Sequence, residues 1–210
     1  MRRATRTEHL MIGLIRRYAR WLHTGWPAGT VERLPDVRED GSTNVPGILV
    51  AGDLTGVPLL KFAADTGARA VETILAEPGF AGRPRDEAIV DVLIIGAGVA
   101  GIAAAARARR ADLRIEIVEA SEPLSTIVNF PRGKPIFTYP TDMTPRGDLR
   151  FDERSDVREG LIDMLLEFIA EHGITPRHGR VERLSRRRDV IDATLVDGTV
   201  IRAHRVIVAI

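Results

Sequence analysis

The stretch that most constrains this chain runs from Ile89 to Ser121, IVDVLIIGAGVAGIAAAARARRADLRIEIVEAS. Val90 to Ile95 is an apolar, β-branched run, as expected of a strand buried on both faces of a parallel sheet. Gly96, Gly98 and Gly101 follow in G-x-G-x-x-G spacing. The first permits a tight turn, the second removes a side chain that would block a pyrophosphate, and the third lets the next helix pack close to the strand. An alanine-rich helix is predicted from Val99 to about Ala111, its N-terminus offering free N–H groups and a positive dipole end to a phosphate. Leu113 to Val118 reads as the second strand. Glu119, roughly 20 residues beyond the glycines, stands where a carboxylate accepts hydrogen bonds from a ribose 2′-OH. Strand, glycine turn, helix, strand and acid in this order predict an adenine dinucleotide site. Its candidate residues are Gly96, Ala97, Gly98, Val99, Ala100, Gly101, Glu119 and Ala120. A glycine-rich turn in some other α/β protein would account for the first glycine but not for the acid.

Composition narrows the remainder. The 210 residues carry a formal charge of +1 and no cysteine. Near-neutral charge gives no general case for nucleic acid as a partner. Without cysteine the chain has neither a disulfide nor a dithiol redox centre nor a Cys-rich metal site, which is compatible with a reducing, cytoplasmic setting. No apolar run approaches the length of a membrane span, and no secretory signal is present.

The N-terminal segment, residues 1–40, is basic. Leu10, Leu14, Ile15, Tyr18, Trp21 and Leu22 recur at helical spacing among Arg6, Arg16, Arg17 and Arg20. This pattern suits a helix packed by its apolar stripe on the domain or a partner subunit, a homodimer included. It also suits a helix lying on a membrane surface through residues 5–23. A Pro/Gly/Asp-rich loop follows over 29–47. Ile48 to Ala51 is then a short strand running into Gly52-Asp53, and a helix is predicted from about Pro58 to Leu75, the proline near its start. An acid at the carboxyl end of a parallel strand, ahead of a helix N-terminus, points at a ligand crevice. The alternative is an Asp53 that only caps the helix or braces the turn.

The segment NVPGILVAGDLTG…KFAADTGARAV resembles the Gly-Asp segment of the two-dinucleotide-domain flavoprotein reductases, the thioredoxin reductase-like group. In that group the segment closes the FAD domain near the C-terminus. The resemblance implies that Gly52 and Asp53 meet the FAD ribitol, and that Lys61 and Phe62 offer backbone N–H groups to the flavin pyrimidine oxygen. Here the segment precedes GAGVAG instead of following it, which a circular permutation of the FAD domain would explain, because joining old termini at the surface is tolerated. The rival is a closing segment left over from an upstream fused domain. The division expected is 1–40 basic segment, 41–80 Gly-Asp segment, 81–88 linker and 89–210 FAD-binding domain.

Downstream, Pro123 to Asp148 is a long loop, of a length usually tied to function. In the resembled group this stretch runs along the flavin, so Tyr139, with Thr138 and Thr141, is a candidate to approach the isoalloxazine. Arg132 and Lys134 either meet phosphate or are solvated. Val157 to His172 is an amphipathic helix ended by Gly173. Residues 174–210 alternate like strands, with Asp197-Gly198 as a hairpin turn and Arg186-Arg187-Arg188 as an exposed turn. This matches the β-meander inserted in such FAD domains, where the residue corresponding to Val181 meets adenine through its backbone. The group continues its last strand into a second, NADPH-binding domain with its own G-x-G-x-x-G. Neither is present here, which favours a fragment of a longer enzyme.

The fold expected is therefore a Rossmann-like three-layer α/β domain with a parallel sheet, helices and an inserted β-meander. The resemblance implies an FAD-dependent oxidoreductase in which electrons pass from NAD(P)H through FAD to a small-molecule or protein acceptor. Two alternatives stay open: an NAD(P)-binding dehydrogenase, and a non-catalytic flavin- or nucleotide-binding module. No catalytic residue or metal ligand is assigned.

Overall fold

The computed structural model describes residues 36–210; the basic helix read over residues 5–23 lies outside them. Seven strands follow in chain order: β1 Ile48–Val50, β2 Val90–Ile95, β3 Ile115–Glu119, β4 Arg177–His178, β5 Val181–Arg187, β6 Val190–Leu195 and β7 Val200–Val208. The helices are α1 Leu60–Ala76, α2 Val99–Arg110, the single turn α3 Ser125–Val128, and α4 Arg158–Glu171.

All seven strands form one sheet. Its order is β4-β3-β2-β7-β6-β5, with β1 also paired to β7. Strand β7 joins its two styles. Its first half pairs antiparallel with β6 (Ala203 opposite Ile191). Its second half pairs parallel with β1 (Val206 opposite Ile48). Its other edge lies parallel to β2 from Ala203 to Val208. The sequence of β7 carries both patterns: V-I-R-A-H-R alternates as a half-exposed strand does, whereas V-I-V-A is the continuous run of a strand covered on both faces. The Gly-Asp segment and the GAGVAG segment thus share one sheet through β7.

Helices α1, α2 and α4 cover one face. There Ile94 and Ile207 of the sheet join Val71, Ile74, Ile102, Leu161 and Leu165, all essentially inaccessible to solvent. On the other face Leu93, Val118 and Val206 pack with Ile191, Ala193, Leu195, Ile201 and Ala203 of the meander. Helices, parallel sheet and meander are the three layers.

Local chemistry sets the boundaries. Strand β3 begins at Ile115, two residues after the expected Leu113, because the Leu113 N–H is still bonded to Ala108 O in the cap of α2, behind a left-handed Asp112 (φ 55°). The arginine run is only partly a turn: Arg186 and Arg187 continue β5, and the chain reverses at Arg188 (φ 56°) and Asp189 before Val190 pairs with Arg187.

Residues 81–88 are exposed apart from the half-buried Arg83, as a joint would be, but the chain entering them is pinned at Glu77, Phe80 and Arg83. Phe80 is 4% exposed and lies in the helical core. Its ring carries the Arg83 guanidinium 3.6 Å above its centre and has Arg205 5.6 Å away. Arg205 in turn pairs with Glu77. Phe80→Ala is expected to cost roughly 3 kcal/mol, since it empties a core site and uncovers two cations held over an aromatic face. Urea denaturation measures this; a loss under about 1 kcal/mol would show that the stretch packs only loosely.

Candidate functional site

The site forms where the C-terminal ends of β1, β2 and β3 meet the starts of α1 and α2. Between β2 and α2, Gly96 takes φ 104°, closed to most side chains, and a Cβ there would lie 2.4 Å from Ala209 O. A Cβ on Gly101 would stand 1.9 Å from Gly96 O, so only glycine lets the first turn of α2 lie against the loop. At Gly98 a Cβ would meet nothing within 4 Å. That space belongs to a cavity of about 660 Å³, which Gly98 lines together with Gly96, Val99 and Ala100. Gly98 is the extended N-cap of α2, and no side chain caps that helix. Its first-turn N–H groups therefore keep their donor capacity at the cavity edge.

Glu119 closes β3 and lines the same cavity. Its Oε2 accepts the N–H of Ala97 at 2.8 Å, and its Oε1 accepts the N–H of Ser121 at 2.9 Å. The acid thus holds the glycine loop in register with the strand end and keeps further lone pairs for a ligand.

The Gly-Asp segment supplies the opposite wall. Gly52 (φ 77°) and Asp53 lie in a 3-10 turn, Gly52–Thr55, directly after β1. The Gly52 N–H donates to Thr66 Oγ1 at 2.9 Å, and Thr55 Oγ1 donates to Gly52 O at 2.7 Å. A Cβ on Gly52 would reach within 3.0 Å of Ala100 Cβ, so the turn nests on α2. Asp53 is exposed and lines the cavity. It does not cap the helix: the N-cap of α1 is Leu59, and no side-chain hydrogen bond is made there. Two uncapped helix N-termini therefore border one cavity.

Of the residues read from sequence, Gly52, Asp53, Gly96, Gly98, Val99, Ala100 and Glu119 line this cavity. Ala97 and Gly101 lie just behind it as loop supports. Lys61 and Phe62 do not line it; at the start of α1 that place is taken by Pro58, Leu59, Leu60 and Ala63. Ala120 is exposed, and Val181 pairs with Leu195 in the meander; neither reaches the lining. The long loop contributes Lys134, Pro135, Ile136, Phe137 and Tyr139, whereas Arg132 is exposed and outside. Lys134 is the cation of the lining and rests 3.5 Å above the centre of the Phe130 ring.

The residues that sequence reasoning missed include Thr66, which orients Gly52, and Gly67, where a Cβ would stand 2.1 Å from Ala100 O. An isolated glycine inside an otherwise strong helix pattern was the available signal for that close approach.

A second, polar cleft of about 330 Å³ lies beside the Arg205–Glu77 pair and contains His204. Burial, and then the charge of Arg83, hold the His204 imidazole below its ordinary range. The described residues hold no cluster of metal-ligating side chains, and none of their helices is long and apolar enough to cross a membrane.

Residues 91–155 match the family model described as FAD binding domain. No curated protein matches the chain. Among solved structures, bacillithiol disulfide reductase Bdr from Staphylococcus aureus is similar with TM-score 0.50 and 20% identity, over 57% of this chain and 37% of that one. A flavin-containing monooxygenase from Stenotrophomonas maltophilia is similar with TM-score 0.49 and 23% identity, over 57% and 37%. Thioredoxin reductase from Streptococcus pyogenes gives TM-score 0.44 and 25% identity, over 59% and 35%. At these identities the likeness to the bacillithiol reductase is one of fold. The matched part spans little more than a third of each of these proteins. The resemblance to thioredoxin reductase-like flavoproteins read from the sequence agrees with this fold and with the FAD-domain model.

Proposed function

We propose that this chain holds FAD in the cavity between α1 and α2, as the FAD-binding part of a pyridine-nucleotide-dependent flavoprotein oxidoreductase. The observation that carries the reading is the convergence on one cavity of Glu119, the Gly96–Gly101 turn, Asp53 and two uncapped helix N-termini. A single G-x-G-x-x-G site offers one helix N-terminus and one acid, enough for the adenosine diphosphate half of NAD or FAD. The second N-terminus, with its own acid, suits a longer ligand with a polar chain and a second electron-rich end. In this reading Glu119 takes the ribose hydroxyls, and the N–H groups of Val99 and Ala100 face the pyrophosphate. Asp53 takes the ribitol hydroxyls, and the first turn of α1 faces the flavin pyrimidine oxygen. Gly98 fits the group directly, because the space its missing side chain leaves is part of the cavity.

Bound FAD supplies the two-electron chemistry, and the protein supplies orientation and electrostatics. Lys134 places a positive charge in the lining, where it favours negative charge on a bound ring. The electron donor proposed is NAD(P)H, and the acceptor a small molecule or a protein. With no cysteine in the sequence, the acceptor is not a dithiol of this chain.

The full chain, refolded with FAD and freed of excess ligand, is expected to retain flavin absorbance near about 450 nm, a property of the cofactor. Protein that stays colourless but takes up NAD would overturn the FAD reading in favour of a dehydrogenase-type site. Oxidation of NADH or NADPH by this chain alone is expected to be slow or absent, because FAD occupies its G-x-G-x-x-G turn in this reading; brisk turnover with an artificial acceptor would mean that a second nucleotide site lies within it.

A further inference from the structure

Lys61 is a buried cation that the cavity lining does not include. It lies in the first turn of α1 and is 8% exposed. Lysine is almost never buried without partners, because an ammonium group out of water needs its donors satisfied. Here Nζ donates to the backbone oxygens of Pro140 at 2.7 Å and Thr141 at 3.1 Å. One helical turn further on, and so on the same face of α1, Asp65 is 5% exposed. Its Oδ1 accepts the N–H of Arg146 at 3.1 Å, and its Oδ2 pairs with Arg69. A cation gripping carbonyls and an anion gripping an N–H thus tie two points of one loop to one helix.

The loop held in this way carries an aromatic pair just ahead of the first grip. Phe137 and Tyr139 stack with ring centres 5.9 Å apart and planes 17° from parallel. They are 68% and 55% exposed, yet both line the cavity, as do Leu59 and Leu60 at the start of α1. Large aromatic side chains held at a cavity rim without burial mark a surface that a ligand or partner completes. A stacked pair on an irregular loop keeps its place only if the loop backbone is fixed, and Lys61 fixes that backbone at the residue following Tyr139.

We infer that Lys61 is a positioning residue: by holding the Pro140 and Thr141 carbonyls it sets the Phe137–Tyr139 pair as a wall of the cofactor cavity. The inference rests on the FAD reading of that cavity for what the wall faces, but the tether itself does not. It adds a side-chain role for Lys61, toward the loop, to the backbone N–H role that the resemblance implies.

The test uses the full chain as wild type, K61M, K61R and Y139F. Without FAD, hydrogen exchange is read on peptides covering residues 136–143. K61M is expected to raise exchange there at least about tenfold, the effect of losing even one charge-assisted hydrogen bond, while β2 is unchanged. K61R, which keeps a cationic donor, should fall between K61M and wild type. With FAD loaded, the fluorescence of bound flavin is read. A phenol in contact with an excited flavin gives up an electron and quenches it, whereas a phenyl ring does so poorly. Y139F is expected to brighten the bound flavin severalfold, K61M likewise, and K61R to restore part of the quenching. Unchanged exchange at 136–143 in K61M would overturn the tether. Exchange that rises while fluorescence in K61M and Y139F stays at the wild-type level would overturn the wall, leaving Lys61 as a brace of the loop alone. Failure of the wild type to bind FAD would instead overturn the reading of the cavity, with the exchange measurement still deciding on the tether.

Discussion

Gly67→Ala is expected to destabilise the protein by about 2 kcal/mol and to weaken FAD binding by at least about tenfold. The two magnitudes that oppose each other at this position can be weighed. Alanine in a helix interior is favoured over glycine by roughly 1 kcal/mol. A Cβ at Gly67, however, would lie 2.1 Å from the backbone oxygen of Ala100, 2.9 Å from its carbonyl carbon and 3.1 Å from its Cα. Backbone cannot swing aside as a side chain can, so α1 and α2 must separate, and overpacking of this kind costs about 3 kcal/mol. Separation also moves the site, because Ala100 lines the cavity and supports Gly52, whose own Cβ position is 3.0 Å from Ala100 Cβ. Gly82→Ala is the matched control. A Cβ there meets nothing within 4 Å, and the expected change is within about 0.5 kcal/mol. Urea denaturation and FAD titration of both variants decide the matter. A Gly67→Ala protein as stable as wild type would mean that the two helices tolerate separation and that their contact does not position the site.

How much of this was legible in advance follows from the range over which each residue acts. The Gly96–Gly101 turn and Glu119 are local: a strand end, a turn and a helix start lie within a few residues, and the acid is one strand away. Spacing therefore carried the information, and the glycine geometry found at Gly96, Gly98 and Gly101 is what that spacing requires. Asp53 was legible locally as an acid between strand and helix, whereas its neighbourhood with Gly98 followed only from the resemblance to a permuted FAD domain, since the two meet through the pairing of β1 and β2 on β7. The dual pairing of β7 left a trace in its change from alternating to continuous apolar residues, which reads in hindsight as a passage from antiparallel to parallel partners. The side-chain role of Lys61 was not legible for a physical reason: the sequence pattern places it in the first turn of a helix, and only the path of the 137–148 loop brings carbonyls to its ammonium group. That loop has no periodicity to read. Its contributions to the lining, Lys134, Ile136, Phe137 and Tyr139, are fixed by tethers to Lys61, Asp65 and the start of α4, where Ile136 N–H donates to Asp156 O and Arg158 N–H to Lys134 O. Each tether joins residues distant in sequence, and no local pattern encodes it.

Glu119→Gln is expected to lose FAD affinity by about a hundredfold, close to the loss for Glu119→Ala, although it is nearly isosteric. The reason lies in what the two carboxylate oxygens already do. Oε2 accepts from the N–H of Ala97 and Oε1 from the N–H of Ser121. Ala97 is fully buried, so its N–H has no water to turn to. An amide carries one acceptor and one donor group. Whichever way the substituted side chain turned, its NH₂ would face a backbone N–H, and one donor would be left unsatisfied at about 1–3 kcal/mol. The glycine loop would then relax away from the end of β3, taking the first turn of α2 with it. The ribose contact would be weakened as well, because a carboxylate accepts a hydrogen bond from a hydroxyl about twice as strongly as a neutral amide does. Alanine removes the same acceptors without introducing a misplaced donor, so the two variants should converge from different directions. FAD titration followed by flavin fluorescence, with urea denaturation alongside, separates loop relaxation from ribose recognition. Loss of affinity with unchanged stability would assign Glu119 to the ribose alone, whereas a parallel loss of about 2 kcal/mol would assign it to the loop as well. A Glu119→Gln protein that binds FAD within about threefold of wild type, under 1 kcal/mol, would mean that the acid neither holds the loop nor meets the ligand.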